Sequence, residues 1–205
     1  QVAPIILPQM CLILTEDTKY SIRTRSRAVN IFNTFAELIG SSCVKSVAKQ
    51  LFPVLKNFPP VLTQVLAVPD GETSDCGLKM EVLRALATLI THFPKEMTVY
   101  LGDVLPHVWN TLTQGADRYH KTVINYIEDA DDPVDSDGEV LGFESVVFHV
   151  FDFIHALVDS SKFKAVVKTH LEQLLYFLLV YMEITEDQAC AWSSDPNRFV
   201  EDEDD

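Results

Sequence analysis

The stretch from Phe143 to Met182 constrains the fold more than any other part of the chain. It reads FESVVFHVFDFIHALV, a short DSSK turn, then FKAVVKTHLEQLLYFLLVYM. In the first half Ser145, His149, Asp152, His155 and Asp159 recur at helical spacing and make one polar stripe. Almost everything else around that helix is apolar, so it must be covered on more than one side. The second half repeats the pattern, with Lys164, Lys168, Glu172 and Tyr176 as its wet edge. Two such helices joined by about four residues form an antiparallel hairpin. The hairpin cannot cover both apolar faces itself and needs like neighbours. The expected fold class is therefore all-α, an α-solenoid of stacked antiparallel helix pairs.

The rest of the chain fits that expectation. Residues 2–14 read as the end of a helix. SIRTRSRAVNIFNTFAELIG follows as an amphipathic helix with Ala28, Phe32, Phe35 and Ile39 inward, Asn30, Asn33 and Glu37 outward, and Gly40 as its natural end. Arg23, Arg25 and Arg27 crowd its first turns against the helix dipole, which reads as a solvated N-terminal face or, failing that, as a place where an acidic neighbour or a partner favours them. Val44 to Phe58 reads as a helix bent by Pro53 and stopped by Pro59-Pro60, with a short helical piece from Val61 to Val68. PDGETSDCG is a turn-rich loop. LKMEVLRALATLITHF is a clean helix with Glu81, Arg84, Thr88 and Thr91 as its polar stripe. Met97 to Leu112 continues as another, kinked near Pro106, and Tyr119 to Ile127 is open between a short helix and an extended connector. Second helices of pairs begin near Ile22, Leu78 and Phe143, intervals longer than a regular HEAT period of about 40–47 residues, so the repeats carry insertions.

Charge is where this chain departs from a plain helical stack. The net charge is −14, but it is concentrated. Glu128 to Glu139 (EDADDPVDSDGE) holds seven carboxylates, namely Glu128, Asp129, Asp131, Asp132, Asp135, Asp137 and Glu139. Five more, Glu201, Asp202, Glu203, Asp204 and Asp205, close the chain. Without these twelve, 18 acidic residues face 16 basic ones and the helical body is nearly neutral. Residues 128–139 read as an acidic inter-helix insertion and 201–205 as the start of an acidic loop. Localised acid of this kind suits a basic partner or a solvated loop. It disfavours direct nucleic-acid binding, which needs clustered Lys and Arg. Chain ends at Gln1 and inside EDEDD make 1–205 read as one internal segment of a larger protein.

Catalytic and metal chemistry finds little support. Cys11, Cys43, Cys76 and Cys190 are far apart and form no CxxC, the pattern of reduced thiols rather than of a zinc site or disulfide framework. His149 and His155 are six apart, which is not the spacing of a helical metal pair, and read as half-buried stripe residues. The glycines are scattered, with no phosphate-cradling loop and no nucleophile elbow. PVDSDGEVLGFE imitates a calcium loop, yet Pro133 stands where a carboxylate ligand is required. Ser136, followed by Asp-Gly-Glu, suits an acid-directed kinase. The expectation is no enzyme, no cofactor and no metal. No secretory signal is visible, and the most apolar run, Leu174 to Met182, is too short to span a bilayer, so no membrane is expected.

The tail is the most specific stretch. Thr185 and Gln188 make a capping box for a short helix, Asp195-Pro196 breaks the chain, and Trp192 and Phe199 are anchors set to pack on the array, with Pro196 as the step between them. A Trp, an acidic-Pro step, an aromatic and then acid after a long apolar helix resembles the importin-β (karyopherin) superfamily. IRTRSRAV (Ile22 to Val29), PDGETSDCGLKMEVL (Pro69 to Leu83) and DPVDSDGEVLGFE (Asp132 to Glu144) extend the resemblance over nearly all of the chain, toward its histone-carrying receptors. It departs in the helix cores and around Tyr119 to Tyr126.

The resemblance implies an α-solenoid of HEAT repeats, antiparallel helix pairs forming a superhelical arc with about four repeats in this segment, from the N-terminal half of a nuclear transport receptor that carries and shields basic cargo, core histones among it, and is regulated by Ran-GTP. It implies shuttling between cytoplasm and nucleus through the nuclear pore. It also implies second helices that line the cargo and Ran face, and first helices that face Phe-Gly nucleoporins. The two acidic segments are the expected partner-binding residues. A HEAT scaffold without a transport role is the other reading open to the same residues.

Overall fold

The computed structural model describes residues 3–41, 52–125, 142–195 and 197–198. Among them the regular elements are helices: α1 (Ala3–Thr15), α2 (Ile22–Gly40), α3 (Phe58–Ala67), α4 (Cys76–His92), α5 (Leu101–Tyr119), α6 (Phe143–Asp159), α7 (Lys164–Thr169), α8 (Leu171–Tyr181) and α9 (Glu186–Ser194). Extended pairing among the described residues is a single bridge, Gly71 to Ser74, within the loop before α4.

The helices build two layers. In the first, α1 packs on α3, α3 on α5 and α5 on α8; in the second, α2 packs on α4 and α4 on α6. Cross-layer pairs α1/α2, α3/α4 and α5/α6 are the repeats. This is an all-α HEAT-type solenoid segment, with three complete pairs and the first helix of a fourth, split into α7 and α8, among the described residues. The core runs continuously between the layers through Phe32, Phe58, Leu62, Leu86, Val108 and Phe153, all nearly or wholly buried. Phe32 stacks on Phe58 with ring centroids 3.8 Å apart, joining the first repeat to the second.

The beginnings of α2, α4 and α6 at Ile22, Cys76 and Phe143 match the sequence expectation for second helices. Several local expectations are corrected. Pro59-Pro60 does not stop a helix; it starts α3. The first-turn N–H groups have no acceptor within a helix, so prolines there cost no hydrogen bond. Gly40 is the last residue of α2, and the cap is Ser41 in right-handed geometry. What Gly40 provides is room: a Cβ there would lie 2.2 Å from Cγ of His92, which packs α4 against α2. Asn33 is buried, not outward. Tyr119 to Ile124 is helical throughout, since α5 passes into a π turn (His120–Ile124). Residues 42–51, with most of the helix expected from Val44, lie outside the described residues.

The Phe143–Met182 stretch is two helical segments joined by a turn, as expected, but they belong to successive repeats. The mate of α6 is α5, and α8 lies against α5 in the first layer. The second segment also breaks at His170, whose Nδ1 lies 3.0 Å from both the Val166 carbonyl and the Thr169 hydroxyl. A third constraint sits at Gly115, where α5, α6 and α8 meet. A Cβ there would come within 2.7 Å of Val147 Cγ2 and 2.8 Å of the Tyr181 hydroxyl, which donates to the Leu112 carbonyl at 3.2 Å.

One arginine of the α2 cluster, Arg25, has a structural explanation. Arg25 is buried and donates to the Leu14 carbonyl, at the end of α1, and to the Thr73 carbonyl in the loop before α4. One guanidinium thus ties consecutive repeats together and overrides the unfavourable dipole. Desolvation lowers its pKa, opposed by Asp17 and Asp75 nearby.

Candidate functional site

The residues expected to meet partners, Glu128 to Glu139 and Glu201 to Asp205, lie outside the described residues, as do Pro196 and Phe199. Trp192 is described. It sits on α9, which forms with the expected capping box: the Thr185 hydroxyl accepts from Gln188 N at 3.1 Å, and Gln188 Oε1 accepts from Thr185 N at 3.0 Å. Trp192 is half-buried and stands outside the main core cluster.

The polar stripes of the second helices do come together. Glu37 and Ser41 of the first repeat, Arg84, Thr88, Thr91 and His92 of the second, and Asp152, His155 and Asp159 of the third line one open groove of about 530 Å³. The stripes on α4 and α6 are those visible in the sequence; their alignment across three helices is a product of stacking. Asn33 donates to Glu37 Oε1 at 3.1 Å and so orients that carboxylate. Asn30 reaches Glu81 of the next repeat at 3.3 Å, and Glu81 also meets Arg84 at 3.8 Å. His149 is half-buried with Nδ1 2.8 Å from the Ser145 carbonyl, as expected. His155, however, is exposed, 3.8 Å from Asp159.

The first layer offers a different surface, which the sequence reading missed. Gly102, Leu105, Pro106, Trp109 and His170 line a mainly apolar pocket of about 290 Å³ between α5 and the α7–α8 break. Trp109 donates from Nε1 to Gln173 Oε1 at 2.9 Å and meets the edge of His170, ring centroids 5.2 Å apart. Pro106 cannot donate to the preceding turn, and the pocket opens beside it. The signal available in the sequence was Trp109 one turn after a mid-helix proline.

A third, smaller pocket lies near the starts of α4 and α6, where Asp70, Cys76, Lys79, Arg118 and Phe143 gather. Lys79 is buried and pairs with Asp70 at 2.7 Å, while Arg118 covers the Phe143 ring at 5.4 Å. Burial, with Asp70 beside it, pushes the Cys76 thiol up to about 11, so it is protonated and unreactive at neutral pH. Among the described residues no group of three His, Cys, Asp or Glu side chains is placed to hold a metal ion, and no helix is long and apolar enough to cross a membrane.

No family model matches the chain. It is 31% identical over 212 aligned residues to Importin-9 of Drosophila melanogaster, an alignment that covers the whole of this chain and 21% of that protein. This match supports membership of the importin-β family. It spans about a fifth of the length of the curated relative it matches. Within this chain the second-layer groove and the first-layer pocket occupy the two opposite layers of the stack, so two unlike surfaces are available on one segment.

Proposed function

We propose that this chain is a segment of a nuclear import receptor that helps carry and shield basic cargo, core histones in the first place, under the control of Ran-GTP. The observation that carries the reading is the match to Importin-9, which extends over the whole of this chain. The described second helices support it, because they turn a polar, carboxylate-bearing face to one side. The acidic segments Glu128–Glu139 and Glu201–Asp205 add a high density of negative charge to a nearly neutral body. Charge of that kind steers a basic client and screens it from wrong contacts. In this reading the protein shuttles between cytoplasm and nucleus and performs no catalysis. A pull-down with core histones, with and without Ran-GTP, tests it. Ran-GTP-sensitive histone capture is the expected result. A HEAT scaffold without a transport role would bind no Ran-GTP.

A second surface suits the passage through the pore. The Trp109 pocket lies between adjacent first-layer helices, is apolar, and has room for an aromatic side chain. Docking of Phe-Gly nucleoporins there fits its shape and lining. Trp109→Ala is expected to reduce retention on an immobilised Phe-Gly peptide while Ran-GTP binding is unchanged; equal retention rules the pocket out.

A further inference from the structure

We propose that the cavity at the starts of α4 and α6 is an oxyanion site, in which Lys79 and Arg118 hold a single carboxylate or phosphate group.

Lys79 and Arg25 stand at equivalent places in successive repeats. Ser21 caps α2 and Asp75 caps α4. Arg25 N donates to the Ser21 carbonyl at 3.0 Å and Lys79 N to the Asp75 carbonyl at 3.1 Å, so each cation lies one turn inside its helix. Both are buried, Lys79 to 5% exposure. Arg25 reaches forward to the Thr73 carbonyl, in the loop before the next second helix. Lys79 has no such carbonyl among the described residues, and its polar partner there is Asp70 at 2.7 Å, a half-exposed side chain. An ammonium carries three N–H donors, and burying them without acceptors is costly. One carboxylate oxygen answers one of the three. In front of Lys79 lies a cavity of about 90 Å³, lined also by Cys76, Gln114, Arg118 and Phe143.

Charge decides which acceptor suits this cavity. Arg118 lies over the Phe143 ring, 5.4 Å from its centroid, and has no carboxylate within ion-pair distance among the described residues. Both cations act on one spot: burial and Asp70 raise the Cys76 thiol pKa, and Arg118 and Lys79 lower it. The first turns of α4 and α6 add the partial positive charge of two helix starts. Asp70 is the one carboxylate in the lining, so the balance is positive and a negatively charged acceptor completes it. Size sets the limit. The cavity admits a few water-sized groups, and is far smaller than the roughly 300 Å³ of a pocket that encloses a whole small molecule. It therefore takes one anionic group. Two sources can supply it: the stretch between α5 and α6, which carries seven carboxylates, and free phosphate.

The experiment follows the melting temperature of the full chain against inorganic phosphate, with ionic strength held constant by chloride. It compares the unaltered chain with a variant in which Glu128 to Glu139 are neutralised, and adds Arg118→Gln, Arg118→Lys or Lys79→Met to that variant. Any rise common to all five proteins is general salt exclusion. Beyond it, the neutralised variant is expected to gain about 2–4 °C once phosphate exceeds its Kd about fivefold. Arg118→Gln and Lys79→Met should each abolish that gain, so the result does not depend on the folding of one variant, and Arg118→Lys should keep part of it. A smaller gain in the unaltered chain assigns the site to its own carboxylates, and an equal gain assigns it to free phosphate. No gain in the neutralised variant, or an equal gain with Arg118→Gln, would overturn the inference while leaving the import reading to the Ran-GTP experiment.

Discussion

At the scale of single residues, the structure turns on a few side chains that join repeats. Arg25 holds carbonyls from two repeats at once, and its replacement takes the donor from one buried and one half-buried acceptor. Arg25→Met is expected to cost about 2–3 kcal/mol, read as a lower denaturation midpoint. Gly115→Ala gains helix propensity but forces a methyl group against Val147 and Tyr181. Overpacking costs about 1–3 kcal/mol against about 1 kcal/mol of propensity, so a net loss is expected, and a larger one for Gly115→Val. Cys76 gives a prediction in pH. Its folded pKa is raised by burial from the ordinary thiol value of 9.0 to about 11, so the stability linked to it is present below pH 9 and lost as pH rises through 11. Alkylation resolved by mass spectrometry at pH 8 should therefore modify exposed Cys190 quickly and Cys76 only on unfolding. The pairing of Arg25 with carbonyls was not legible in the sequence. What could be read was that three arginines stood against a dipole and needed a reason.

At the scale of elements, helix existence was largely legible and helix limits less so. The stripe of α6 marked its wet side correctly because exposed helical positions tolerate polar residues at the same 3.6-residue period whatever lies opposite. Proline was harder to read. Pro59-Pro60 is compatible with a stop or a start, and only the packing of Phe58 and Leu62 into the core selects the start. The split of the α7–α8 segment at His170 has no proline or glycine to announce it; it accompanies the contact with Trp109 on α5. In α9 local chemistry suffices. The reciprocal capping bonds of Thr185 and Gln188 appeared as expected, and Thr185→Ala should lower stability by about 1 kcal/mol, seen as faster amide exchange over Glu186–Ser194.

At the scale of the whole molecule, charge and stacking separate. The helical body is close to neutral, and the acid that makes the chain strongly negative is local. Neutralising Glu128 to Glu139 is expected to weaken association with histones or Ran at low salt, with helicity by circular dichroism unchanged; unchanged binding would make that stretch a passive spacer. The effect should shrink as ionic strength rises, because exposed charges are screened beyond about 8–10 Å at physiological salt. The sequence by itself determined that this protein is a row of amphipathic helices, where the second helices begin, and where its negative charge is concentrated. All three follow from periodicity and composition along the chain. Only the tertiary structure decided which stripes face each other: that Glu37, Arg84 and Asp159, from three helices, share one groove, and that Trp109 and His170 share a pocket. The physical reason is that a helix carries its own polar stripe in its residue order, whereas the alignment of one stripe with the next is set by how closely neighbouring backbones approach, at Gly40 against His92 and at Gly115 against Val147.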